Sequence, residues 1–204
     1  MYFFGDSICF GQHVSPYKNW VTRLSELLEK RLKVSVNNPS INGNTTRMAL
    51  ERMPQDIQKY HVDVLLIQFG LNDCNYWETD SGLPRVSKAA FHANLLEIIE
   101  RARIFGAKKI FLNTNHLCLR ELPHAPIPFK ESVLAYNQII HDVAKQSKVI
   151  LNDIEKYITS QIEQKKCDLN DLLLDDGVHL SEEGHNLYFE FLSTILLNEL
   201  KEEK

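Results

Sequence analysis

The segment Val62-Asp63-Val64-Leu65-Leu66-Ile67-Gln68-Phe69 constrains the fold of this chain more than any other. A run that is apolar at nearly every position, rather than at every second one, has no face to offer water. It suits a strand of a parallel sheet covered by helices on both sides. Around it, short apolar runs alternate with helical patterns along the whole chain. Tyr2-Phe3-Phe4 reads as a first buried strand and Val34 to Val36 as a brief second one. Lys109 to Leu112 reads as the fourth and Val149 to Leu151 as the fifth. Trp20, Val21, Leu24, Leu27, Leu28 and Leu32 recur at helical spacing, which predicts a helix over Asn19 to Leu32 with Asn19 as its N-cap. Further helices are predicted over Thr45 to Tyr60, interrupted at Pro54, and over Ser87 to about Phe105, ended by Gly106. Two more run from Phe129 to Ser147 and from Ile154 to Gln164, and Ser181 caps a last one with Glu182 and Glu183 in its positive first turn.

This alternation, with about five strands, implies a three-layer α/β/α domain with right-handed crossovers and a doubly wound parallel sheet. At 204 residues, one domain over 1–204 is expected, with a core that needs no disulfide or metal staple. The composition, 44% hydrophobic and 25% charged, is that of a soluble globular protein. A net charge of −4 with scattered Lys and Arg leaves no footprint for nucleic acid. Cys9, Cys74, Cys118 and Cys167 lie far apart with no C-x-x-C pair, so neither a zinc knuckle nor a redox motif is indicated, and reduced thiols in a cytoplasmic protein are expected. No stretch approaches the ~18 apolar residues of a membrane span, so stable membrane insertion is not expected.

In folds of this class, ligands bind beyond the carboxyl ends of the strands. Ser7, Gly43, Asn72 and His116 all fall just after predicted strands or in the loops that follow them. Singly, each has an ordinary reading. Gly5-Asp6-Ser7 is a turn, Gly43 a residue with positive φ, and Asn72-Asp73 the punctuation after a buried strand. Asp176-Gly177-Val178-His179 is a turn followed by a loop histidine. Together they have a chemical logic. A serine hydroxyl is a poor nucleophile until a base takes its proton, and the base must itself be oriented by a third group. Ser7, His179 and Asp176 supply those three parts without a metal.

Four blocks, in order along the chain, carry a family resemblance. They are Gly5-Asp6-Ser7, Asn38-Pro39-Ser40-Ile41-Asn42-Gly43-Asn44-Thr45-Thr46, Gly70-Leu71-Asn72-Asp73 and Asp176-Gly177-Val178-His179. The set resembles the SGNH, or GDSL, hydrolases. The resemblance implies a flavodoxin-like sheet and hydrolysis of an ester or thioester without a cofactor. It makes Ser7 the nucleophile, His179 the general base and Asp176 the orienting carboxylate, with Ser7, Gly43 and Asn72 as oxyanion donors. Leu180 stands where the family often has proline. Asp175 is a neighbouring competitor that the family spacing disfavours, and Asp6 and Asp73 read as turn-anchoring side chains.

Tyr76, Trp77 and His116 are candidates for lining the substrate site. Arg85, Arg120, His124 and a loop punctuated by Pro123, Pro126 and Pro128 are candidates for shaping specificity. The expected substrate is a small-molecule ester, with an O-acetylated carbohydrate or a short-chain ester favoured. A lysophospholipase, a thioesterase and an acyltransferase on the same triad stay open as alternatives. From other classes, a non-catalytic binding module with this fold, a flavin or nucleotide binder and a metallohydrolase using Asp175, Asp176 and His179 also stay open. The absence of G-x-G-x-x-G and of a Walker loop weighs against the nucleotide reading.

Overall fold

The structure, a computed structural model, describes residues 1–32 and 34–201. The chain begins with β1 (Tyr2–Gly5) and turns at once into a one-turn helix, α1 (Ser7–Phe10). Then follow α2 (Trp20–Leu32), α3 (Thr46–Met53), β2 (Val64–Gln68), α4 (Lys88–Ile104), β3 (Lys109–Asn113), α5 (Phe129–Ser147) and β4 (Ile150–Asn152). Three helices close the chain: α6 (Ile154–Glu163), α7 (Leu169–Leu172) and α8 (Glu182–Lys201).

The strands pair in parallel in the order β1-β2-β3-β4, with Phe3 opposite Leu66, Leu66 opposite Phe111 and Leu112 opposite Leu151. Among the described residues four strands form, where about five were expected. Val34 to Val36 does not join the sheet. Strand-like pairing on that side of β1 is reduced to one parallel bridge, Tyr2 to Asn37, with Phe3 N–H donating to the Asn37 carbonyl at 2.9 Å. The physical reason is local. Val34 and Val36 are only partly buried, and Pro39 has no N–H with which to continue a ladder. The bridge still lies on the edge of β1 opposite β2, so the direction of winding reverses between Asn37 and β2, as in a doubly wound sheet.

Adjacent residues of a strand face opposite sides of the sheet, and β1 shows both sides covered. Phe3 meets Trp20 of α2 edge-on at 5.6 Å between ring centres. Phe4 lies under the Arg52 guanidinium of α3 at 4.3 Å and packs edge-on against Phe69. Both phenylalanines are fully buried. Full burial of a side chain this size contributes on the order of 3 kcal/mol. Helices α2 and α8 cover one face, while α3, α4 and α5 cover the other. Predicted caps form at three helices. Asn19 Oδ1 accepts from Val21 N–H, Ser87 Oγ from Ala90 N–H and Ser181 Oγ from Gly184 N–H. The helix interrupted at Pro54 ends there as regular α and continues as a wider turn over Pro54–Gln58.

Two polar arrays fix the carboxyl edge of the sheet. Across the strand tips, Asn152 Nδ2 donates to Asn113 Oδ1, and Asn113 Nδ2 donates to Gln68 Oε1. Beneath the edge, Trp20 Nε1–H donates to the Ile8 carbonyl of α1 at 2.9 Å and Trp20 N–H donates to His185 Nδ1 of α8. The Trp20 ring packs on Tyr188, whose hydroxyl meets His116 Nδ1 at 2.7 Å. His116 Nε2 lies 2.7 Å from the Val178 carbonyl, which can only accept. His116 therefore carries its proton on Nε2, and Tyr188 O–H donates to Nδ1. This column joins the beginning and the end of the chain.

Two tests follow from the column. Tyr188→Phe removes the donor to buried His116 and is expected to lower stability by about 1–3 kcal/mol in urea unfolding. His185 is 1% exposed, and burial, then its neighbours His116 and Arg23, depress its pKa to about 4. It stays neutral in the fold but charges in the unfolded chain. Its stabilising contribution is thus complete above the ordinary histidine pKa and is lost as pH falls from ~6.5 to about 4. His185→Asn keeps an acceptor for Trp20 N–H without the titration. Unfolding free energy measured from pH 7 to 4.5 should therefore fall less steeply in this variant than in the wild type.

Candidate active site

Ser7 opens α1 directly beyond the end of β1. Asp6 caps that turn, its Oδ1 accepting from Ile8 N–H at 3.0 Å. Asn19 Nδ2 closes the other end on the Cys9 and Phe10 carbonyls. The serine is thus held on a rigid corner, 6% exposed, with its side chain at the sheet edge.

The histidine arrives from the other end of the chain. His179 Nε2 lies 2.9 Å from Ser7 Oγ. Its Nδ1 is bonded to Asp176 Oδ2. The carboxylate accepts at Nδ1, so Nε2 carries the lone pair and Ser7 O–H points at it. Asp176 Oδ1 meanwhile accepts from the Val178 and His179 backbone N–H groups, both at 2.9 Å. Burial acts to raise the Asp176 pKa, but the His179 ring and these two N–H groups outweigh it and hold the carboxyl below its usual range. One four-residue turn therefore contains the histidine, its orienting carboxylate and the donors that keep that carboxylate ionised.

Gly177 makes the turn possible. Its φ is +67°, and a Cβ there would sit 2.8 Å from the Arg120 backbone nitrogen. The closeness is used, since Leu119 N–H donates to the Gly177 carbonyl at 2.8 Å. Val178, next to His179, rests on His116 as described above.

The expected oxyanion residues connect to the Ser7 corner through Asp6 and Arg85. Gly43 has φ +75°, which favours glycine, and a Cβ built on it would meet nothing within 4 Å. Asn72 follows β2, with Nδ2 donating to Asp6 Oδ2 at 3.2 Å and Oδ1 accepting from Arg85 Nη1 at 3.2 Å. Arg85 Nη2 donates to the Gly43 carbonyl at 3.1 Å. Ser7, Asp6, Asn72, Arg85 and Gly43 thus form one continuous arc. Two buried carboxyls lie beneath it. Burial pushes Asp6 up to about 7, against the pull of Ile8 N–H, and pushes Asp73 up to about 6, against Thr46. As expected, Asp6 and Asp73 anchor turns: Asp73 receives the Thr46 N–H and hydroxyl and ties the start of α3 to the Asn72 loop.

The lining candidates divide. Trp77 is 52% exposed beside Arg85, whose guanidinium carbon stands 4.4 Å over the ring. Tyr76 is 6% exposed, and its carbonyl receives His124 Nε2–H at 2.9 Å. His116 does not line the site. It is fully buried, and both ring nitrogens are engaged beneath the histidine turn. Burial depresses its pKa to about 4, so it stays neutral there. The loop between β3 and α5 borders the histidine turn and carries a groove of about 580 Å3 lined by Leu119, Leu122, Pro126 and Ile127 among others. Among the described residues, no group of three His, Cys, Asp or Glu could hold a metal ion, and Asp175 takes no part in the histidine turn's bonds.

The arrangement can pass a proton from Ser7 Oγ to a histidine oriented for that purpose. Comparison with known proteins agrees with the geometry. Residues 3–187 match the model of the GDSL-like lipase/acylhydrolase family. An arylesterase of Vibrio mimicus is 27% identical over 199 residues, covering 96% of this chain and 87% of its own. Among solved structures, an alpha/beta hydrolase from the metagenome of Lake Arreo superposes with a TM-score of 0.78 at 18% identity, covering 95% of this chain and 92% of that one. An acetylxylan esterase of Geobacillus stearothermophilus superposes at 0.74 with 20% identity, covering 98% and 92%. At these identities the two structures speak for the fold, and the match over 3–187 speaks for the lineage: the chain belongs to the GDSL-like lipase/acylhydrolase family of ester-hydrolysing enzymes.

Proposed function

We propose that the protein hydrolyses a small, soluble carboxylic ester through an acyl-enzyme on Ser7. The observation that carries this reading is the line Ser7 Oγ, His179, Asp176, with 2.9 Å between Oγ and Nε2. His179 takes the hydroxyl proton as Oγ attacks the ester carbonyl, then returns it to the departing alkoxide. A water repeats the sequence to release the acid. The oxyanion forms opposite the Ser7 and Gly43 N–H groups and Asn72 Nδ2. Asp176 remains an anion throughout and stabilises the imidazolium.

A short acyl group on a carbohydrate is the substrate we favour. The half-exposed Trp77 ring offers a flat apolar face of the kind that sugars stack on. The structural neighbour that acts on acetylxylan points the same way. A second reading, a longer acyl ester or thioester, draws on the apolar groove beside the histidine turn. We place the enzyme in a reducing, cytoplasmic setting, a reading supported by four free cysteines, three of them buried.

A panel of p-nitrophenyl esters of rising chain length, run beside acetylated xylo-oligosaccharides and acyl-CoA, tests both readings. A rate that falls with chain length supports the first, and one that rises supports the second. Ser7→Ala should abolish turnover while leaving the melting temperature nearly unchanged. Turnover retained in that variant would refute the mechanism. Asn72→Ala should lower kcat by about 10²–10³-fold, the usual cost of one oxyanion donor.

A further inference from the structure

We propose that Arg85 is a positioning residue of the oxyanion hole, holding Asn72 and Gly43 in the arrangement that receives the developing charge. The proposal rests on the esterase reading above. Arg85 sits against Asn72 because the chain between them folds back on itself. Tyr76 and Pro84 form an antiparallel bridge, Arg85 N–H donates to the Asn75 carbonyl, and Val86 N–H donates to the Asp73 carbonyl. The guanidinium then spans two loops at once, reaching Asn72 Oδ1 with one nitrogen and the Gly43 carbonyl with the other.

The chemistry of the fork decides what this does. A guanidinium has five donors and no acceptor. Facing it, the Asn72 side chain can present only its oxygen. Its Nδ2 is thereby directed to the opposite side, where one N–H reaches Asp6 and the second is left for a ligand. Asp6 alone does not enforce this choice. Its carboxyl is pushed up to about 7, so near neutrality it is protonated part of the time and can then donate to an amide oxygen. A flipped Asn72 would set a carbonyl oxygen against the oxyanion, which is repulsive. The arginine keeps its charge across this range, so its constraint on the amide does not vary with pH. Donation from Arg85 to Oδ1 also draws electron density from the amide and sharpens Nδ2–H as a donor.

At Gly43 the need is different. A glycine in the left-handed region with open space beside it has little of its own to hold it. Arg85 fixes its carbonyl. The loop as a whole has a separate anchor: Arg52 Nε donates to Asn44 Oδ1, and Arg52 Nη2 donates to the Gly5 carbonyl. Removing Arg85 is therefore expected to loosen the oxyanion donors without unfolding the loop. Trp77 stacks on the guanidinium from the solvent side and limits its alternatives.

The test compares wild type, Arg85→Ala, Arg85→Lys, Asn72→Ala and the Arg85→Ala/Asn72→Ala pair on p-nitrophenyl acetate, with Ser7→Ala as blank. Arg85→Ala should lower kcat about 10–100-fold with KM within about threefold, a fraction of the loss for a direct donor. Lysine, a point donor that cannot span both oxygens, should restore the rate only in part. In the Asn72→Ala background the arginine change should cost less than it does in the wild type, because only its hold on Gly43 is then left to lose. Full additivity, an unchanged kcat, or an effect confined to KM would overturn the proposal. A second readout needs no turnover: the Asn72 side-chain amide signals, assigned by their loss in Asn72→Ala, should shift in the NMR spectrum of Arg85→Ala. Signals that do not move would overturn the proposal by themselves. Failure of the esterase reading shows separately, as a wild type no faster than Ser7→Ala.

Discussion

Every strand of the sheet runs in the same direction, and this places all the carboxyl ends, with the loops that leave them, along one rim. Helices seal both faces, so the rim is where backbone N–H groups and side chains can meet a ligand. Reversal of winding between the Asn37 bridge and β2 opens a crevice between the loop that holds Gly43 and the loop that holds Asn72. Ser7 stands at the end of the strand between them. The histidine turn needs no strand of its own, since Asp176 organises it internally through three hydrogen bonds.

Residues 7 and 179 meet because the interior beneath them is continuous. Trp20 holds α1 from below, Tyr188 packs on Trp20, and His116 connects Tyr188 to the carbonyl next to His179. These groups are buried and satisfied, so each polar atom contributes to placement rather than costing free energy. The same physics separates three histidines that look alike as letters. His116 and His185 are buried, kept neutral and structural. His179 alone presents its second nitrogen to a serine.

Much of this is legible in the sequence, and the misses have identifiable causes. Helix starts are readable where a side chain caps its own helix two or three residues on, as at Asn19, Ser87 and Ser181. The histidine turn is readable for the same reason, since its partners lie within three residues. Val34 to Val36 has strand-forming residues, but a ladder also needs a neighbour and donors, and Pro39 withholds one. His116 follows a strand within a polar tetrad, which suggests a rim residue. Its burial is set by Tyr188 and Val178, 72 and 62 residues away. Arg85 is legible only as a candidate for shaping specificity, because the acceptors that its guanidinium joins lie 13 and 42 residues off.

The chain's two tryptophans occupy opposite environments. Trp20 is sealed under α1, while Trp77 lies half in solvent on a cation at the lip of the crevice. Indole emission depends on polarity and nearby charge, so the protein carries two native optical probes in distinct surroundings. Light from the sealed ring tracks integrity of the interior, and a soluble quencher reaches only the outer one. Occupancy of the crevice can therefore be followed in the unmodified molecule, without a dye or a chromogenic leaving group.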